Sequence, residues 1–144
     1  MLAEPRLRRR FVRRPPADHE IVREVLGDLA GYCVGRVSLR GGTMIVWLRD
    51  RARHEPTVAV KLIGVEALRD NGVAGGTLDR GEIGPVGPWG RSLAESEERP
   101  EIANFAQLDL WVQGERTPRF QAIAHHLRVF QGALLAEPNC LWNV

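Results

Sequence analysis

The sequence predicts an α+β domain: an antiparallel sheet of about four or five strands, an N-terminal helix and, as an option, a C-terminal helix. Two patterns carry this expectation. Ile21, Val22, Val25, Leu26 and Leu29 recur at helical spacing. After them come extended, β-branched runs in quick succession, two of them separated only by Gly41-Gly42. The bulk figures agree. The chain has 144 residues, of which 44 % are hydrophobic and 26 % charged, a globular balance in one domain's length.

Residues 1–16 read as a basic arm and 17–144 as a single globular domain. The arm carries Arg6, Arg8, Arg9, Arg10, Arg13 and Arg14 against Glu4 alone. Pro15-Pro16 stops any helix there and favours extended geometry. The whole chain has a formal charge of +2, and the arm by itself accounts for more than that, so the body is mildly acidic.

Asp18 is placed to cap a helix over about residues 19–30, and Gly31 to end it in the left-handed conformation. Cys33 to Arg40 then reads as a strand, with Cys33, Val37 and Leu39 on one face. Gly41-Gly42 supplies a two-residue hairpin turn. Thr43 to Leu48 is apolar on both faces, which fits a covered strand. Thr57 to Val65 is a third strand. Residues 72–90 hold seven glycines, four of them at period three, and read as a long irregular Gly/Pro-rich loop anchored by Ile83, Val86 and Trp89. Residues 95–101 continue it as an acidic, solvated stretch. Phe105 to Gln113 alternates as a strand. Residues 119–131 fit either element: Phe120, Ile123, Leu127, Phe130 and Leu134 match a helical stripe, whereas a hairpin would put Ile123, Leu127 and Val129 on one face. Counting matches favours the helix. The segment Cys140-Leu141-Trp142 is apolar enough to dock on the body.

The candidate chemistry is sparse. His125-His126 is the only adjacent histidine pair, and neighbouring side chains project in different directions, so no shared metal is expected. No Cys/His zinc spacing, HExxH, GxGxxG or GxxxxGK[ST] occurs, so neither a metal nor a cofactor is expected. Gly90-Arg91-Ser92-Leu93-Ala94 is a distant variant of a nucleophile elbow, without the strand that should precede it. Asp109, in an otherwise apolar strand, is expected to face solvent and pair with an arginine across the sheet. Two cysteines with no secretory signal read as reduced thiols in a cytoplasmic protein, and no apolar run is long enough for a membrane span.

Val58-Ala59-Val60-Lys61-Leu62-Ile63-Gly64-Val65-Glu66-Ala67-Leu68 is similar in pattern to small β-rich bacterial immunity-type proteins. That resemblance covers about residues 32–70. It implies a non-catalytic protein that binds and blocks a partner, and it transfers no site residue. The leading expectation is therefore a non-enzymatic protein-binding domain, of an inhibitory or assembly kind. Its binding residues are Arg6, Arg8, Arg9, Arg10, Arg13, Arg14 and Trp89, because Arg and Trp most often carry interface energy. One alternative is nucleic-acid association through the arm. The other is a small enzyme with a site near His125, His126 or Asp109.

Overall fold

The structure, a computed structural model, describes residues 29–50, 52, 56–131 and 142. It is mostly β. Six strands form one antiparallel sheet: β1 (Cys33–Arg40), β2 (Thr43–Arg49), β3 (Val58–Asp70), β4 (Leu78–Pro85), β5 (Ala106–Val112) and β6 (Phe120–Gln131). One α-helix, α1 (Pro88–Ser96), and a 3-10 helix (Pro100–Asn104) lie between β4 and β5. The order across the sheet is β1-β2-β3-β6-β5-β4.

The expected α+β domain of four or five strands is thus corrected to a six-stranded sheet with one short helix among the described residues. Two segments account for the difference. Residues 119–131, expected as a helix, form β6, which pairs with β3 on one side and β5 on the other. The helical stripe was misleading because β6 buries both faces. Phe120 and Leu127 point into one cluster, and Ile123 and Phe130 into two others. The Gly/Pro-rich segment 72–90 contains β4 and the start of α1. Gly81 and Gly84 sit in β4, opposite Leu110 and Gln107 of β5. Backbone pairing supplies there what absent side chains cannot. The N-terminal helix expected over 19–30 falls almost wholly outside the described residues, as does the arm.

The sheet curls until its outer strands meet. Gly31 donates to the Leu78 carbonyl at 2.8 Å and Leu78 to the Tyr32 carbonyl at 2.7 Å. Val34 donates to Gly76 at 2.9 Å and Gly75 to Val34 at 2.7 Å. Cys33 and Thr77 form the bridge between them. A small barrel results, filled by Val34, Met44, Val46, Leu48, Val60, Leu62, Leu108, Leu110, Phe120 and their neighbours. β1 reaches the closure through an irregularity between Val34 and Arg36. It turns Val34 and Val37 to the same interior, whereas Leu39 is 58 % exposed.

The turn at Gly41-Gly42 and the covered strand β2 agree with expectation: Met44 to Leu48 are all buried. Met44, Val46 and Leu48 fill the barrel, while Ile45 and Trp47 pack outside it with Ala59 and Phe130. Trp142 lies against this outer cluster, so the apolar tail does dock at that residue.

Candidate functional site

Two patches outside the barrel gather charged side chains. The first spans the outer side of β1, β2, β3 and β6. Strand register sets its rows: Arg36 opposite Trp47, Trp47 opposite Ala59, Ala59 opposite Phe130. The next row is Ser38, Ile45, Lys61 and Arg128, and the third is Arg40, Thr43, Ile63 and His126. No Asp or Glu occurs in β1, β2, β6 or β3 up to Val65. Arg36, Arg40, Arg128 and His126 are exposed around a floor of buried Ile45, Trp47, Ala59 and Phe130. The Arg36 guanidinium lies 4.8 Å from the Trp47 ring centroid, and the Trp47 indole N–H donates to the Ser38 hydroxyl at 3.3 Å. Lys61 is buried, and burial lowers its pKa; the Arg128 charge pushes it the same way.

The second patch sits where β3 and β6 bend together. Gly64 has φ +70, and a Cβ there would come within 2.9 Å of the His125 ring. Only glycine tolerates both conditions. Inward alternation slips at this point on both strands. Leu62 and Val65 both face the interior, as do Ala124 and Leu127, which leaves His125 and His126 both outside. One residue later β3 bulges between Val65 and Ala67, and the extra residue is Glu66.

His125 Nε2 lies 2.8 Å from Glu66 Oε2, and Arg99 Nη2 lies 2.8 Å from Oε1. Arg99 Nε reaches Glu101 at 3.2 Å. The Phe105 ring stacks on the imidazole at 4.2 Å. The hydrogen bond with His125, then the one from Arg99, hold the Glu66 carboxyl below the usual carboxylate range. Bonding to Glu66, then to Glu101, raises the Arg99 guanidinium.

Arg99 is delivered there by the end of α1. Arg99 N–H bonds the Ala94 carbonyl at 2.9 Å and Glu98 N–H the Glu95 carbonyl at 3.3 Å. This is a Schellman ending, with Glu98 at φ +53 where glycine is usual. The start of α1 is fixed by Pro88 in its first turn and by Gly87, whose N–H donates to Gln107 Oε1 at 3.0 Å. Gly90 lets the helix close onto the sheet, since a Cβ there would meet Ile123 at 2.8 Å.

The residues singled out from sequence are dispersed. Arg6, Arg8, Arg9, Arg10, Arg13 and Arg14 lie outside the described residues. Trp89 is half-buried in α1, packed on the Val86, Ala94, Ile102 and Ile123 cluster, with Arg69 5.3 Å from its ring centroid. His125 joins Glu66, whereas His126 belongs to the cationic patch. Asp109 is half-buried, and Oδ1 accepts from Gln107 at 3.0 Å and Gln121 at 3.1 Å. Two amides take the place of the arginine expected across the sheet. A strand does precede Ser92, since β4 leads into α1 through Val86 and Gly87, but Ser92 is the fifth residue of the helix and not at the strand-to-helix turn, which is not the geometry of a nucleophile elbow.

Sequence reading missed Glu66, Arg99 and Phe105, and also the cationic face. A glycine inside a β-branched run followed by a lone carboxylate was a usable sign of a bulge at Gly64 to Glu66. The cationic face had no local sign, because Arg128 meets Lys61 only through the pairing of β6 with β3. Among the described residues no helix is long and apolar enough to cross a membrane. No protein-family model matches the chain, and no curated protein or solved structure matches it either.

Proposed function

We propose that this is a non-enzymatic protein-binding domain of an inhibitory or assembly kind, and that an acidic protein surface docks on the outer side of β1, β2, β3 and β6. One observation carries the reading: β1 and β6 present Arg36, Arg40 and Arg128 around an apolar floor, with no carboxylate in β1, β2, β6 or β3 up to Val65. Like charges collected on one face raise each other's energy, and an anionic partner relieves that cost. Arginine forks suit carboxylates, and Arg and Trp are the side chains that most often dominate interface energy. The inhibitory form follows the resemblance noted for residues 58–68, and a cytoplasmic setting accompanies it.

A nucleic acid would read the same charge, but base stacking needs a free aromatic face. Trp47 is buried beneath Arg36, and Arg40 lies over Trp142. The Glu66 and His125 cluster bonds internally to Arg99 and fastens the end of α1 to the sheet.

The test is fluorescence anisotropy with a labelled polyglutamate peptide and a labelled DNA duplex, titrated against the wild type and an Arg36→Glu, Arg128→Glu double variant. Polyglutamate should bind the wild type and lose at least tenfold in affinity to the variant. Duplex binding with a steep salt slope, and none to polyglutamate, would replace this reading with the nucleic-acid one.

A further inference from the structure

The floor of the cationic face is occupied. Trp142, from beyond β6, packs against Ile45, Trp47, Ala59 and Phe130. The Arg40 guanidinium sits 4.5 Å from its ring centroid. Trp142 stays half-buried, whereas the floor residues are at most 7 % exposed. The seat therefore has an apolar base, an arginine on one face of the guest ring, and Arg36 and Arg128 at its margin. Its chemistry selects an aromatic side chain flanked by carboxylates. The ring satisfies the floor and the Arg40 stack, and the carboxylates meet the surrounding guanidinium groups.

We infer that this seat is the recognition pocket for an acidic, aromatic-bearing segment of the protein partner, and that Trp142 fills it in the resting molecule. This rests on the protein-binding reading above. Docking of Trp142 and of the partner's ring are mutually exclusive, because both use the same floor and the same Arg40 face. Trp142 is held by packing on that floor and by the Arg40 cation–π contact, and a second aromatic ring can reproduce both. Self-occupancy also sets a threshold. A seat filled in about nine molecules of ten weakens apparent partner affinity about tenfold, since only the open fraction binds.

Two fluorescein-labelled glutamate-rich peptides test this, one with a single central phenylalanine and one with alanine in its place. Trp142→Ala should bind the phenylalanine peptide about tenfold tighter than the wild type and the alanine peptide no tighter. Trp142→Phe, which refills the seat, should return to wild-type affinity. A second measurement needs no destabilising change. The Trp142 indole resonance, assigned by its loss in Trp142→Phe, should move when the phenylalanine peptide is added to the wild type. An indole that stays put in a saturated complex, or equal affinities of wild type and Trp142→Ala, would overturn self-occupancy. If the alanine peptide binds both and needs Arg36 and Arg128, only this inference fails. If neither peptide binds any form, the protein-binding face fails with it.

Discussion

The two outer patches of this barrel handle charge in opposite ways. Where α1 meets the bend of β3 and β6, two carboxylates sit between nitrogen donors: His125 and Arg99 hold Glu66, and Arg99 also holds Glu101. On β1, β2 and the first half of β3 the chain supplies arginines and one lysine, and buries apolar rings beneath them. Among the described residues, Asp79, Glu82, Glu95, Glu97, Glu98, Glu101 and Asp109 lie on β4, β5 and the segment between them. The difference teaches where to look for work. A patch that neutralises itself fastens one element to another, whereas a patch of one sign is where the proposed acidic partner would add its charge.

The largest effect should come from the floor of the cationic patch. Trp47 is 2 % exposed, and Trp47→Ala should cost on the order of 3–5 kcal/mol in chemical denaturation. Trp89→Ala, at a half-buried ring on α1, should cost about half as much. Equal costs would erase the distinction between a structural floor and a clipped-on helix.

Gly64→Ala should come next, at on the order of 2 kcal/mol, because a left-handed φ and contact with the His125 ring both oppose a Cβ. The variant should also expose the imidazole to faster solvent exchange, readable by NMR. No loss of stability would mean that the bend does not depend on that glycine.

Glu98→Gly should act in the other direction. It relieves a left-handed non-glycine residue and should stabilise the protein by about 0.5–1 kcal/mol in thermal unfolding. A loss instead would show that the Glu98 side chain matters more than its backbone.

The smallest change at neutral pH is expected for Glu66→Gln, less than about 1 kcal/mol, since its partners are solvent-accessible. The pH profile should separate it from the wild type. The folded-state pKa of Glu66 lies below the unfolded one, so its stabilising share is present above the ordinary carboxylate range. That share is lost as pH falls through the lower folded value. The variant should lack this part of the acid limb. If its profile matches the wild type's, the fastening role of the patch falls.

Much of β1, β2 and the first half of β3 was legible, because hairpin chemistry at Gly41-Gly42 and β-branched runs are local signals. β6 was not, because a strand buried on both faces and slipped at His125 imitates a helical stripe. β4 was not, because its glycines look like loop and its stability comes from β5. The cationic face was not, because Arg36 and Arg40 lie in a segment separate from Arg128, and only the strand pairing brings them together. It became a surface only when strands distant in the chain were laid side by side.

The barrel closure has a consequence for how the chain reaches this state. β3 pairs with β6 from Val58 against Gln131 to Asp70 against Phe120, so the central seam joins residues far apart in the chain. Closing so long a loop is entropically costly before any contact compensates it, and folding dominated by such pairings runs on the order of milliseconds to seconds. During synthesis β1, β2 and β3 emerge well before β6, and the inner edge of β3 has no partner in the meantime. That edge, Val58-Ala59-Val60-Lys61-Leu62-Ile63, is apolar except for Lys61. The lone lysine then serves as a charged gatekeeper on a nascent strand that would otherwise pair with its neighbours.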